Sequence, residues 1–156
     1  MKKIAEKCNG LNASLSDLRA CFIFLIGFSG FLRCYELIHI QRKHIRILYA
    51  HMEIFIPSRE NDKCNEGHTI FIAKTSNITC PVAITVKYLQ FLPISSDQFL
   101  VCRLTYSHKG HIAQKHAISY TRVREIMLHS LKEILPDISG YGTHSLKRGA
   151  ATSAFN

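Results

Sequence analysis

Between Cys21 and Leu32 the chain is strongly apolar, and the apolar positions fall on nearly all sides of a helical projection. That pattern predicts a helix buried all round rather than one with a single wet face. Ser14, Ser16 and Asp17 offer N-caps ahead of it, so the helix is predicted to begin near Ser16. Gly27, Ser29 and Gly30 predict a bend or a break, and Cys34 to Ile40 continues helically with Leu37 inward. From Ile45 the period changes to two: Met52, Ile54 and Ile56 alternate with Glu53 and Phe55, the signature of a strand. Thr69 to Ala73 is a second strand, and the two predict a hairpin with a long charged loop. Pro81 suits the first position of a helix running to Phe91. Phe99 to Arg103 is a short apolar piece, and Ser107 to Lys115 reads as an exposed basic loop. Ser119 caps an amphipathic helix with Val123, Met127, Leu131 and Ile134 on one stripe, and a last helix starts at His144 or Ser145. The first dozen residues are polar and predict a frayed segment. The class is α+β, mainly helical with one small antiparallel sheet: a polar segment over 1–13 and a domain over 14–156.

Composition narrows the partners. The 156 residues are 47% hydrophobic and 20% charged, values of a folded domain with a sizeable core. The formal charge of +9, with nine histidines uncounted, favours a polyanion such as nucleic acid. The Cys21–Leu32 run is flanked by Arg19 and Arg33 and is too short to span a bilayer, so no membrane partner is expected. Lys2 and Lys3 lead into polar sequence rather than a secretory core. The six cysteines include no C-x-x-C pair, and they read as reduced thiols of an intracellular protein.

Two clusters carry chemistry. In Gly30-Phe-Leu-Arg33-Cys-Tyr-Glu36-Leu an arginine follows the buried helix with a carboxylate three residues on, on the same face. An acid there can orient the guanidinium as a bidentate phosphate clamp. The alternative is a plain surface ion pair. In Gly142-Thr-His144-Ser-Leu-Lys147-Arg148, imidazole and cations crowd the opening turns of a helix, where free N–H groups and the dipole also attract phosphate. Arg42, Lys43, His44 and Arg46 form one basic cluster, and His108, Lys109, His111, Lys115 and His116 another. Such clusters are solvated faces or phosphate contacts. Cys102, His108, His111 and His116 match no common zinc spacing, so no metal site is assigned.

These motifs, in this order, resemble the tyrosine recombinase (phage-integrase-like) catalytic domain, especially the eukaryotic mobile-element branch of crypton and DIRS-like elements. Phe-Leu-Ile-Gly-Phe-Ser-Gly-Phe-Leu-Arg33-Cys-Tyr-Glu36-Leu is similar to the first arginine box. Met52-Glu-Ile-Phe-Ile and Glu66-Gly67 followed by Ile-Phe-Ile-Ala-Lys-Thr are similar to the second and third strands. Thr79-Cys-Pro-Val and Ser119-Tyr-Thr-Arg122-Val-Arg124 resemble the two helix starts that follow, and Gly142-Thr-His144-Ser-Leu the second arginine box.

The resemblance implies DNA integration and site-specific recombination. A tyrosine attacks the scissile phosphate to give a 3′-phosphotyrosyl intermediate, two arginines stabilise charge on the phosphate, a hairpin lysine acts as general acid, and a histidine assists. It implies duplex DNA as partner, a homo-oligomer on the DNA, no metal, no small-molecule cofactor and a nuclear location. Carried over, Arg33 is the first arginine with Glu36 as its supporting acid, and His144 is the histidine of the second box. Lys147 stands where the second arginine is expected and Arg148 lies one position late. Glu60 falls at the hairpin-lysine position, with Arg59 and Lys63 beside it. Arg42, Lys43, Arg59, Lys63, Arg122 and Arg124 are candidate DNA-backbone contacts. None of Tyr35, Tyr49, Tyr88, Tyr106, Tyr120 and Tyr141 matches the nucleophile's place, which in this family lies beyond the second box. The chain is therefore expected to be a C-terminally truncated domain, inactive in cleavage alone. A non-catalytic DNA-binding remnant of a mobile element and a helical protein–protein interaction domain are the alternatives.

Overall fold

The computed structural model describes residues 1–10, 12–57, 66–92, 94–108 and 110–155. Helix α2 (Leu15–Ser29) is its axis, and Phe22, Ile23, Phe24, Leu25 and Ile26 all lie in the core. This is the all-round burial that its composition demands. Ser14 is its N-cap in a capping box: Ser14 Oγ accepts from the Asp17 amide at 3.2 Å, and Asp17 Oδ2 accepts from the Ser14 amide at 3.0 Å. The helix stops at Gly30, and Phe31 adopts a left-handed φ of 53°. The Leu32 amide then donates back to the Gly27 carbonyl at 3.0 Å, the return bond of a left-handed helix cap. This reversal separates α2 from α3 (Cys34–Ile38), where the glycines predicted a break.

A sheet of three antiparallel strands follows, β1 (Ile45–Ile47), β2 (His51–Ile56) and β3 (His68–Ala73), in that spatial order. Met52, Ile54 and Ile56 point into the core, and Met52 and Ile54 oppose Ile72 and Ile70. Gly67 enters β3 at φ +65°, where an added Cβ would lie 2.6 Å from the Ile56 carbonyl oxygen, so only glycine fits. Helix α4 (Pro81–Phe91) starts at Pro81 behind Cys80, whose sulfur accepts from the Ala83 amide at 3.4 Å, and packs on α2. Helices α5 (Tyr120–Lys132), on a Val123–Met127–Leu131 stripe, and α6 (His144–Phe155) also pack on α2. Among the described residues no helix is long and apolar enough to cross a membrane.

Three expectations are corrected. The N-terminal segment is not frayed: it forms helix α1 (Lys2–Asn9), which buries Ile4, Ala5 and Cys8 against α2, and Lys7 bridges Asp17 at 3.2 Å and Glu133 at 2.7 Å. Its few apolar residues sit at i and i+4, enough for one stripe on a short helix. Cys8 and Cys21 are not both reduced thiols, because stacking α1 on α2 brings them into a disulfide across a separation of 13 residues. Cys34, Cys80 and Cys102 are free and buried. The basic loop is a second, two-stranded sheet, β4 (Cys102–Ser107) and β5 (Gly110–Ala117), paired antiparallel with a register shift between Cys102 and Leu104. That irregularity and the interspersed His and Lys blur the period-two pattern, although Gly110 at φ +107° marks the turn.

Candidate active site and nucleic-acid interface

The C-terminal half of α2 positions both clusters. Its reversal delivers Arg33 as the N-cap of α3, with extended backbone, and the Arg33 amide donates to Glu36 Oε2 at 2.7 Å. Glu36 is buried, so its carboxylate anchors the chain that carries Arg33; the Arg33 side chain is half-buried. The acid three residues on therefore caps the helix start.

On the same helix, Gly27 faces α6. A Cβ at Gly27 would lie 2.8 Å from Leu146 Cδ1, so its absence lets α6 seat closely. Leu146 and Ala150 are the buried positions of α6. With Leu146 inward, His144 and Arg148 are exposed and Lys147 is half-buried. The turn before α6 is held firmly: the Gly142 amide donates to Ser145 Oγ at 3.0 Å, the Ser145 amide donates to the Gly142 carbonyl at 2.9 Å, and buried Thr143 is hydrogen-bonded to the Tyr120 hydroxyl. His144, Lys147 and Arg148 thus sit on the first turns of a helix whose start is tied to the start of α5. A cationic face at a helix start is suited to an oxyanion.

The other predicted residues divide. Glu60, Arg59 and Lys63 lie outside the described residues, as does Lys109. Arg42 opens a 3-10 turn (Arg42–His44), with Nη1 donating to the Ile45 carbonyl at 3.2 Å, and Lys43 pairs with Asp97 at 2.9 Å. Arg122 pairs with Glu125 at 2.7 Å, and Arg124 is exposed on the same helix. Burial, with Lys43 adjacent, pushes His44 below the ordinary imidazole range. Among the described residues no group of three His, Cys, Asp or Glu is placed to hold a metal ion. Cys102 itself is buried behind the hairpin.

One cation escaped the sequence reading. Arg19 marks the edge of the apolar run in the sequence, yet it is only 7% exposed, and its Nη1 donates to the Cys102 carbonyl at 2.8 Å. Its spacing was the available signal: four residues after Leu15 and three before Phe22, it falls on the core face.

No protein-family model matches the chain, and no curated protein matches it. Solved structures do. The XerH site-specific recombinase bound to its difH substrate, in a pre-cleavage complex, superposes with a TM-score of 0.67 at 15% identity over 99% of this chain. The post-cleavage complex of XerH on palindromic difH gives 0.66, again at 15% identity over 99% of the chain. The fold is that of a tyrosine recombinase catalytic domain. At this identity the likeness speaks for the fold, and the chain spans 40% of the XerH chain's length.

Proposed function

We propose that this chain is a duplex-DNA-binding domain of tyrosine recombinase type, whose parent activity is site-specific recombination and DNA integration. The observation that carries it is the placement of Arg33 and of the His144–Lys147–Arg148 turn by one buried helix, within a fold shared with a recombinase. In this reading Arg33 supplies a planar fork to a backbone phosphate, and Lys147 supplies a point charge where a second fork would sit. His144 is the proton-handling group, and half-buried Arg42 and the exposed cations Arg122 and Arg124 add phosphate contacts. The nucleophile is not assigned to any tyrosine of this chain, so the segment as given binds DNA without forming a covalent adduct. Assignment to the crypton and DIRS-like branch, a nuclear location and a homo-oligomer on DNA belong to the same proposal and rest on the motif resemblance.

The test is fluorescence anisotropy with a labelled duplex at several salt concentrations. Affinity should fall steeply as salt rises, with a log–log slope of roughly −0.9 per phosphate neutralised. Arg33→Ala should weaken binding by about tenfold, the effect of losing one charge-assisted pair. A flat salt response, or unchanged affinity in that variant, would refute the reading.

A second reading, a protein–protein interaction domain, is favoured by one observation. A largely apolar groove of about 430 Å³ runs between α1, α2, α5 and α6, lined by Ile4, Phe24, Phe28, Met127, Leu131 and Leu146 among others, with Lys2 and Lys3 at its α1 side. Concentration-dependent association without DNA, followed by sedimentation, would support it; a monomer at all concentrations would count against it.

A further inference from the structure

A buried arginine requires a counter-charge. Arg19 is 7% exposed; among the described residues its Nε has no hydrogen-bond partner, and its Nη1 donates to the neutral carbonyl of Cys102. No carboxylate pairs with it among the described residues; burial disfavours its charged form, and of the ionisable groups that act on it, Tyr88, Cys102 and Arg122, none is a carboxylate. A buried guanidinium stays charged, and leaving it uncompensated is strongly unfavourable. The surroundings show where the compensation enters.

Arg19 forms part of the wall of a cavity of about 780 Å³ between α2, the β4–β5 hairpin and the start of α5. Its charged and imidazole groups are Arg19, Arg103, His116 and Arg122, the neutral polar ones are Thr105, Gln114 and Ser119, and none of the residues lining it is an acid. Arg103, His116 and Arg122 are exposed, so the cavity has a buried cation at its wall and two exposed arginines at its rim. Arg122 gives Nη1 to Glu125 at 2.7 Å, which leaves donors of its fork for a ligand. Ser119 is the N-cap of α5, so the positive end of that helix dipole adds to the same field.

We propose that this cavity is a phosphate-binding site, separate from Arg33 and α6, in which Arg19, Arg103 and Arg122 together hold a phosphodiester or polyphosphate group. Arginine forks match phosphate oxygens bidentately, and a partly enclosed cationic wall favours a multiply charged anion over chloride. The phosphate has two possible sources. One is the backbone of bound DNA: Ser119 lines the cavity, and the next residue, Tyr120, is bonded to Thr143 beside His144, so the cavity and the α6 cluster lie on either side of one hydrogen bond. The other is a free phosphorylated molecule.

Pyrophosphate, titrated calorimetrically into the full chain against sodium chloride of matched ionic strength, tests the site. Pyrophosphate should bind in this cavity. Arg103→Gln and Arg122→Gln, both at exposed positions, should each weaken it by about tenfold. Binding no tighter than the chloride control, or insensitivity to both substitutions, would overturn the proposal. A duplex titrated into the pyrophosphate complex then names the source. Displacement identifies the site with a DNA backbone phosphate, and retention on the DNA-bound chain identifies a free phosphorylated ligand. Because pyrophosphate binding is read without DNA, its failure is distinct from a failure of the DNA-binding reading.

Discussion

Single side chains in this domain act mostly on backbone groups. Glu36 is the clearest case, since its buried carboxylate accepts the Arg33 amide and so fixes where the α3 start lies. Glu36→Ala should lower unfolding free energy by about 1–2 kcal/mol, the usual loss for a helix cap, and should also weaken DNA binding. Denaturant melts and anisotropy on the same variant measure the two effects. Asp17 is a second anchor. Its burial raises its pKa, but hydrogen bonds from Ser14 and the cation of Lys7 outweigh this and hold it below the ordinary carboxylate value of 3.8. A carboxyl whose folded pKa is depressed contributes stability that is fully present above its unfolded value and is lost as pH falls through the folded one. Asp17→Asn should therefore lose stability relative to the parent at pH 7 and converge on it below the parent's folded pKa. Thermal melts across the acid range check this. The i, i+3 spacing of Arg33 and Glu36 was legible in the sequence. Their backbone bond was not, because it depends on the turn through Phe31.

At the scale of elements, α2 and α6 are joined by a close approach at Gly27. The contact is to the end of a flexible Leu146 side chain, so Gly27→Ala should be tolerated by a rotamer change. Gly27→Val should not be, and should destabilise by about 1–3 kcal/mol as an overpacked contact, with DNA binding falling because α6 is displaced. Comparing the two variants by melts and anisotropy separates packing from helix propensity. Helices α2, α4, α5 and α6 were visible in the sequence because caps and stripes are local signals. Helix α1 and the β4–β5 hairpin were not. The first is a short helix completed by its packing on α2 and the Cys8–Cys21 bond, and the second is a ribbon whose outer face is polar and basic.

Across the whole molecule, one contiguous core runs from Ile4 on α1 through α2 and the first sheet to Leu131 and Leu146. Elements that share a core this fully unfold together. Calorimetry should therefore give a single transition whose van't Hoff and calorimetric enthalpies agree, whereas two resolved transitions would mean that the helices and the sheet are separate units. The formal charge of +9 is unevenly spent over this body. Lys7 and Lys43 are engaged with acids, while the cavity beneath β4–β5 gathers Arg19, Arg103 and Arg122 with no acid in its lining and only Arg122 paired, to Glu125 outside it.

The sequence by itself determined the buried central helix, the alternating strands and the capped helices, because burial periodicity and capping are properties of neighbouring residues. Only the tertiary structure decided that Arg19 is inside rather than at an edge, that Cys8 meets Cys21, and that α2 holds Arg33 and α6 in one frame. Those facts rest on contacts between residues far apart in the chain. A linear pattern shows which side of an element is apolar, but not which partner will cover it.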